Sequence, residues 1–451
     1  MAFPVLGLME RMQRMKGLAT RLKFQVEDFL RFSTAARTLT SHWIQTQAMR
    51  LPCGDDQQRI LRIQRLCSAA TLTRDLDHRG RLEALIRESA DEIDGRDIHW
   101  HMAYPYVGDR KIHSAALLKP WVSPRERGVL LISFERQWIK LLHFHCADEV
   151  RERYILVLGP SWTPPHSLGV TVFPKLYPDR MLSTISHDND METLPRLSPR
   201  IAPVALLASN WVLPEDFSPL PHSQRDVDIV MVATFGKYKR HHALLGALRR
   251  MPRTVRVLLI GTNGELDAEG IRALARSFGV ENMLVDVRTE DYRGTARAFC
   301  RARISVMMSK REGSCQAVVE SMFADTPVGI LENAELGSRK YVNPHTGGLL
   351  RESHLAEDIM TLLGRSGSMA PRQWVVEHDL CCRSSTRVLN EAIRRFAIDS
   401  GEEWTRDIVL HAWNPYPEVV QPEDRESLWP AYRDFKSRYG ITLGLAPGRW
   451  E

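Results

Sequence analysis

The segment ISVMMSKREGSCQAVVESMFADTPVGIL, which begins at residue 304, carries the residue types best suited to chemistry in this chain. A predicted strand ends near Met308, a polar loop follows, and a predicted helix begins around Cys315. Glu312 lies in the loop, and Glu320 follows eight residues later in the helix. Gly313 permits close approach of the backbone, so several amides are expected to point outward at the helix N-terminus: those of Gly313, Ser314, Cys315 and Gln316. Free amides and the helix dipole favour an anion such as a diphosphate.

A carboxylate beside an anion site repels the anion, so Glu312 needs a different partner. Sugar hydroxyls suit it, because they donate hydrogen bonds to a carboxylate, and Glu320 is placed to accept from ribose hydroxyls in the same way. The alternative is a structural role, since two glutamates at this spacing occur by chance in many chains. We favour the sugar-binding interpretation because the pair follows a strand and has a glycine beside its first member.

This segment resembles the E-x7-E signature of retaining GT-B glycosyltransferases of the family 4 group. The next segment, NPHTGGLLRE (343–352), resembles the Gly-containing loop and strand of that family. Upstream, VMVATFGKYKRHHALLGAL resembles the strand, loop and helix that deliver a basic pair to the donor diphosphate. Lys239 falls on the family lysine, whereas Thr234 falls on the family arginine, and Lys237 and Arg240 are candidates to replace it. The resemblance covers about 200–365 well, the chain from 95 more loosely, and 1–90 not at all.

The resemblance implies a nucleoside diphosphate sugar as donor and a saccharide, lipid-linked glycan or protein as acceptor. Cationic and amide donors would hold the diphosphate, so neither a metal nor another cofactor is expected. The predicted catalytic residues are Glu312, Lys239 and His187. The predicted donor-binding residues are Gly313, Ser314, Cys315, Glu320, Lys237, Arg240 and Thr234.

The N-terminal half offers weaker candidates. His187 and Asp188 follow the predicted strand RMLSTIS, where such folds place groups that contact sugars; a surface-loop histidine is an equally weighted alternative. Residues 188–190 also spell D-x-D, the metal motif of the other glycosyltransferase fold, but the same triplet recurs at 75–77 and 226–228. The segment GVLLISFERQ lacks the Gly-rich loop that the family often has after its first strand. Cys315, at a helix N-terminus, is a candidate for a lowered pKa, although no histidine neighbour makes it a nucleophile.

The elements that must position these residues alternate along the chain. Apolar, β-branched runs predict strands at 128–134, 154–160, 170–173, 180–186 and 202–209. After a Pro-rich linker, strands are predicted at 228–235, 256–261, 283–287, 304–308 and 328–332, with helices between them. This alternation predicts an α/β fold of GT-B-like type, with two Rossmann-type doubly wound domains facing a cleft and a helical N-terminal extension.

Four regions are predicted from these patterns. Residues 1–95 form the helical extension and 96–222 a Rossmann-like acceptor domain. Residues 223–395 form the Rossmann-like nucleotide-sugar domain, and 396–451 are a tail that packs on the domains as an irregular or helical cap.

Composition and charge narrow the class of protein further. The 451 residues are 26% charged, and the seven cysteines are scattered, which is typical of a globular protein in a reducing compartment. Residues 1–50 hold eight Lys or Arg against three Asp or Glu. Over 10–30, apolar residues recur at helical spacing, namely Met12, Met15, Leu18, Leu22, Val26 and Phe29. We favour packing of this face on its own chain over contact with an anionic membrane surface, and no aromatic or motif pattern indicates nucleic-acid binding.

We therefore expect a cytoplasmic glycosyltransferase, with peripheral membrane contact through residues 10–30 as the alternative to packing of that segment on its own chain. Two other hypotheses stay open: a catalytically silent GT-B-like protein that binds a nucleotide sugar or scaffolds partners, and a membrane-associated adaptor driven by the basic helix.

Overall fold

The computed structural model describes residue 19 and residues 22–95, 98–414 and 416–444. The chain divides into two compact units. The first unit comprises Thr34–Leu213 and Leu380–Glu451, and the second comprises Met1–Ser33 and Pro214–Asp379. This division differs from the predicted boundaries, because the helices after residue 33 pack within the first unit and the chain returns to that unit at residue 380.

The first described helix, α1 (22–32), belongs to the second unit. Its apolar residues Leu22, Val26 and Phe29 are 53%, 50% and 67% exposed. The preferred interpretation of the basic amphipathic helix, that this face packs on its own chain, is therefore wrong for these three residues. Met12, Met15 and Leu18 lie outside the described residues.

The described residues up to 95 are mainly helical, which agrees with the predicted helical N-terminal region. Its helices in the first unit are α2 (Thr34–Met49), α3 (Asp56–Leu72) and α4 (Leu76–Asp91), followed by the short α5 (Trp100–Ala103). Asp55 and Asp75 cap α3 and α4, because their side chains accept hydrogen bonds from backbone amides in the first turn.

A five-stranded sheet forms the core of the first unit, in the order β2-β3-β4-β5-β6. The five strands are β2 (Ala115–Lys119), β3 (Gly128–Ser133), β4 (Tyr154–Gly159), β5 (Met181–Ile185) and β6 (Ile201–Leu207), and the short β1 (Lys111–Ile112) precedes them outside this sheet. β2 is antiparallel to β3, and the remaining pairs are parallel. The helices are α6 (Glu135–His143), α7 (Ala147–Arg153), α8 (Leu168–Thr171), α9 (Phe173–Leu176) and α10 (Asp190–Leu197).

The strand predicted at 170–173 is wrong, because this run lies in α8 and α9. Ser167 caps α8 by accepting from the amide of Val170, which starts a helical turn. The run is apolar and buried, which is compatible with either a strand or a helix. A run this short shows no periodicity that would distinguish the two.

A six-stranded, fully parallel sheet forms the core of the second unit, in the order β12-β11-β10-β7-β8-β9. The strands are β7 (Val227–Val232), β8 (Val257–Ile260), β9 (Leu284–Arg288), β10 (Ala302–Met307), β11 (Val328–Leu331) and β12 (Gly347–Leu350). The helices are α11 (His241–Leu248), α12 (Ala268–Phe278), α13 (Tyr292–Arg301), α14 (Gln316–Phe323), α15 (Leu355–Arg365) and α16 (Pro371–Glu377). Strand order reverses between β7 and β10, and such a switch point opens a crevice at the carboxyl ends of the strands.

The C-terminal segment returns to the first unit with α17 (Cys382–Asp399), β13 (His411–Trp413), β14 (Pro417–Val419), α18 (Pro422–Tyr439) and β15 (Thr442–Leu443). Leu389 and Ile393 of α17 share one hydrophobic core with Val157 of β4. The predicted cap is thus partly helical, with a small antiparallel β13–β14 pair. Within the described ranges, no helix is both long and apolar enough to span a membrane.

Candidate active site

The two motifs singled out in the sequence follow neighbouring parallel strands. Ser305 of β10 is paired with Val230 of β7, and sheet order reverses between these strands. β7 leads into a loop with a short 3-10 turn at Lys237–Lys239, and β10 leads into the loop before α14. Both motifs therefore reach the same edge of the sheet, at the switch point.

Lys239 and Glu312 meet there as an ion pair. The Nζ–Oε1 distance is 2.5 Å, and the two side chains are 16% and 10% exposed. Burial would lower the pKa of Lys239, but the Glu312 carboxylate outweighs burial and holds that pKa above its usual value. The site thus contains a lasting positive charge whose present partner is the carboxylate predicted to contact sugar.

The loop before α14 contains backbone amides that are not used in hydrogen bonds within the described residues. The Glu312 amide donates to the carbonyl of Glu335 at 2.9 Å, which fixes the loop against the following segment. In the part of the chain that the structure describes, the amides of Gly313, Ser314 and Cys315 donate no hydrogen bond. Cys315 is the N-cap of α14 with a φ of 59°, in the left-handed region. Unused amides beside a lysine form an arrangement that can bind a phosphate.

The thiol of Cys315 does not behave as the sequence suggested. Burial, together with the nearby Glu312 carboxylate, raises the pKa of this thiol to about 12. The prediction that the pKa of Cys315 is lowered is wrong. Burial and the neighbouring Glu312 charge both raise this pKa, and together they exceed the lowering expected from the helix N-terminus.

Glu320 is enclosed within the second unit. Its carboxylate accepts from the side-chain amide of Gln316 at 3.0 Å. Burial raises the pKa of Glu320 to about 7, with hydrogen bonds from Gln316 and Tyr292 opposing that rise. Glu320 is therefore partly protonated near neutral pH, and its predicted contact with ribose stays a prediction.

Thr234, which the sequence resemblance places at the position of the family arginine, lies in the loop after β7, and its hydroxyl is 3.2 Å from that of Thr262. The two candidate replacements are held by carboxylates. Lys237 pairs with Glu27 of α1 at 2.9 Å. Arg240 is only 4% exposed in its side chain and pairs with Asp28 at 2.7 Å.

Sequence reasoning missed this acidic pair on α1. Asp28 accepts two hydrogen bonds from Arg240, whose guanidinium also reaches Glu352 and the carbonyl of Met308. The available signal was that Glu27 and Asp28 are adjacent acids in an otherwise basic stretch.

A buried histidine next to the loop was also missed. His241 is 3% exposed, and its ring nitrogens have no hydrogen-bond partner among the described residues. Burial and the nearby Lys239 charge lower the pKa of His241 to about 3, so the ring is neutral at physiological pH. The His-His doublet after Lys239 and Arg240 was the signal in the sequence.

His187 lies in the first unit, directly after β5 and Ser186. Its Nδ1 accepts from the Asn189 amide at 3.2 Å, and its own amide donates to the Asp190 carboxylate at 3.0 Å. Asp190 also accepts from the Ser186 amide, and burial raises the pKa of Asp190 to about 6. One aspartate of the D-x-D triplet therefore caps a turn. Across the described ranges, no three His, Cys, Asp or Glu side chains are grouped to hold a metal ion.

The first unit also carries a polar group where two parallel strands end. Glu135, after β3, accepts from the amide and hydroxyl of Ser161, after β4, at 3.0 and 2.6 Å. Phe134 has a φ of 69°, a left-handed conformation more usual for glycine, at the place of the missing Gly-rich loop. A cavity of about 440 Å³ borders these residues, and Tyr104 and Trp162 are among its lining groups.

Residues 214–366 match the family model described as glycosyl transferases group 1. The matched range contains β7 to β12, the Lys239–Glu312 pair and Glu320. The largely parallel sheets of the two units and the helical N-terminal region confirm the predicted α/β fold of GT-B-like type. Among the described residues, strand order reverses in the second sheet and not in the first, so the doubly wound arrangement predicted for both units is observed in the second. No curated protein matches the chain.

Several solved structures are similar to this chain at low identity. Sucrose-phosphate synthase from Thermosynechococcus elongatus is 15% identical with a TM-score of 0.48, over 60% of this chain and 73% of that one. Anabaena HepE, in complex with UDP, is 14% identical with a TM-score of 0.46, over 60% and 79%. The pneumococcal O-GlcNAc transferase GtfA, in complex with UDP and GlcNAc, is 12% identical with a TM-score of 0.42, over 56% and 54%. Similarity this low carries no argument about ligand or activity.

Proposed function

We propose that this chain transfers a sugar, with retention, from a nucleoside diphosphate sugar to a saccharide, lipid-linked glycan or protein acceptor. The Lys239–Glu312 pair at the switch point of a glycosyltransferase group 1 domain carries this proposal. The spacing of Glu312 and Glu320 supports a family 4-like enzyme with an E-x7-E motif.

The donor diphosphate would bind to Lys239 and to the amides of Gly313, Ser314 and Cys315. As the bond from the anomeric carbon to the β-phosphate oxygen breaks, negative charge grows on that oxygen. A fixed ammonium group and preorganised amides stabilise that charge without a metal ion. The acceptor hydroxyl oxygen forms the new glycosidic bond to the anomeric carbon, its proton passes to the departing β-phosphate oxygen, and nucleoside diphosphate leaves.

Glu312 would change partners when the donor binds. In the present structure its carboxylate is occupied by Lys239. A diphosphate competes for the same ammonium, because its two phosphates together carry two negative charges whereas the carboxylate carries one. Released from Lys239, the Glu312 carboxylate can accept hydrogen bonds from the hydroxyls of the transferred sugar and orient it. His187 remains a proposed sugar contact in the first unit.

Donor binding is tested first by thermal unfolding of the full chain with UDP-, GDP- and ADP-sugars. A ligand that binds only the folded state raises Tm by mass action, and free UDP is included as a probe of the diphosphate site. Release of nucleoside diphosphate is then measured for the wild type and Glu312→Ala, with Glu357→Gln as an exposed acidic control on α15. We expect only Glu312→Ala to lose turnover.

A catalytically silent, nucleotide-sugar-binding or scaffold protein is the second candidate. Thr234 at the family arginine position favours it, as does the pairing of Lys237 and Arg240 with carboxylates. If the wild type and Glu312→Ala bind donor but release nucleoside diphosphate at the same slow rate, the silent protein is correct and the enzyme proposal fails.

We also propose a cytoplasmic location with peripheral membrane contact through residues 10–30. The outward apolar residues of α1 support it for the described part of that range. Co-sedimentation with anionic vesicles, for the full chain and a variant lacking residues 1–35, tests this contact. Unchanged sedimentation of the shortened chain would contradict it.

A further inference from the structure

Helix α1 has two faces of opposite character. Phe24 packs 5.5 Å from the ring of His242, and Glu27 and Asp28 bind basic residues of the second unit. The other face carries four large apolar side chains that are 50% to 67% exposed. These are Leu22, Val26, Phe29 and Leu30.

The charge of α1 is also divided between its faces. Glu27 and Asp28 are neutralised by Lys237 and Arg240 on the inner face. Lys23 is exposed beside the apolar residues, whereas Arg31 is exposed on the side of the helix that carries Glu27. The surface that α1 offers to the surroundings is therefore apolar with a lysine at one edge, which suits an anionic interface.

A cavity of about 850 Å³ adjoins this surface within the second unit. Leu22 and Phe29 of α1 form part of its wall, and Arg249 and Arg250 lie in its lining at the end of α11. The apolar face of α1 is thus continuous with a basic concavity.

The charge of this cavity is unbalanced. Its two carboxylates, Asp28 and Glu352, are bound by Arg240 and Lys310. Arg249 and Arg250 are exposed, and neither has a carboxylate partner in the ranges that the structure describes. Burial lowers the pKa of His242, another lining residue, to about 4, so it adds no charge at neutral pH. Two arginines remain for an external anion.

We propose that this cavity binds the phosphate of an anionic phospholipid headgroup through Arg249 and Arg250, while the apolar face of α1 enters the headgroup boundary. A phosphate oxygen accepts hydrogen bonds from a guanidinium in a fork geometry that suits arginine. A second copy of the chain is disfavoured as the occupant, because it would bring the same cations against this surface. The inference rests on the proposed membrane contact and does not depend on glycosyl transfer.

The test is co-sedimentation of the full chain with vesicles of phosphatidylcholine alone or of equal parts phosphatidylcholine and phosphatidylglycerol. We expect binding only to the anionic vesicles. The double variant R249A/R250A should weaken it about thirtyfold, since each cation near such a surface contributes roughly a fivefold gain. The matched control is R293A/R297A, which removes two exposed arginines from α13 outside the cavity and should change binding less than about threefold.

Phe29→Ser should also weaken binding, whereas Val376→Ser, which alters an exposed valine of α16, should not. Equal loss in R249A/R250A and R293A/R297A overturns the headgroup site and leaves a diffuse electrostatic contact. Absence of sedimentation with anionic vesicles overturns both this site and the membrane contact. Competition by inorganic phosphate at matched ionic strength would assign the site to a soluble anion. A dimer in sedimentation equilibrium that depends on Phe29 would assign the surface to a second copy of the chain. Either result overturns the lipid proposal.

Discussion

The two sheets end in sites of contrasting electrostatics. In the second unit, order reverses between β7 and β10, and these strands bring together a charged lysine and unused amides. In the first unit, the strands follow one another in sequence order without a reversal, and β3 and β4 bring together Glu135 and Ser161. Burial raises the pKa of Glu135, which favours its neutral form.

The site in the second unit is therefore suited to an anion, and the site in the first unit to neutral groups. Similar α/β architecture places polar residues at the strand ends in both units, but of the two edges compared it is the second that carries a fixed positive charge, that of Lys239, paired there with the Glu312 carboxylate. The first supplies a carboxyl group near aromatic side chains, which suits the hydroxyls and apolar faces of a sugar. Fold alone therefore does not assign a ligand to either edge.

The largest difference between the two sites is expected for substitution of Lys239. We expect Lys239→Ala to lower nucleoside diphosphate release by about a hundredfold or more, because it removes a cation from the developing charge. Glu135→Gln should leave the affinity for UDP within about twofold, since it preserves a hydrogen-bonding group in the other unit. Arg293→Ala is the surface-charge control. Loss of UDP affinity in Glu135→Gln but not in Lys239→Ala would reverse the assignment of the two sites.

The next largest effect concerns Glu320 and pH. Its pKa rises from 4.5 in the unfolded chain to about 7 in the folded protein, so the folded state binds the extra proton. Stability is therefore lost as pH rises through this interval, by roughly 3 kcal/mol when the shift is converted at 1.36 kcal/mol per unit.

Chemical unfolding of the wild type and Glu320→Gln between pH 5 and pH 8, where linkage predicts the change, measures this loss. Glutamine keeps an acceptor for Gln316 but has no proton to lose, so the free energy of unfolding of the variant should fall less with increasing pH. Parallel pH profiles for both proteins would exclude the proton linkage.

A smaller effect distinguishes the two ion pairs of α1. Asp28 binds a 4% exposed arginine through two hydrogen bonds, whereas the Lys237–Glu27 pair is 30% and 36% exposed. We expect Asp28→Asn to lower the free energy of unfolding by about 2 kcal/mol. Glu27→Gln should lower it by less than about 1 kcal/mol. Urea unfolding measures both, and equal losses would mean that burial of Arg240 does not decide the strength of its pair.

The sequence predicted the second unit well because its strands are short, apolar and separated by clear helices. Even the end of α12 at Gly279, in the left-handed conformation, follows from local signals. The placement of Lys239 near Glu312 was predictable because both follow strands of one parallel sheet.

What the sequence did not predict depends on contacts between distant residues. Asp28 and Arg240 are 212 positions apart, and no periodicity links them. The short run at 170–173 is buried in helices, where its apolar character alone is ambiguous. The raised pKa of Cys315 reflects burial by the folded chain, which a helix-terminus argument cannot include. The division into units required knowledge that α17 packs on the first sheet.

The backbone crosses between the units three times, after residues 33, 213 and 379. Residues 214–379 of the second unit are therefore inserted in the sequence of the first unit. The second unit also includes α1, which precedes the first unit in the sequence. A fragment cut to the matched range 214–366 would lack α1 and expose the buried guanidinium of Arg240 without its aspartate. A fragment ending before residue 380 would deprive the first sheet of α17 and uncover Leu389 and its core partners. Producing either unit by itself would thus require joining its two distant segments, for example by circular permutation, because simple truncation removes part of each unit.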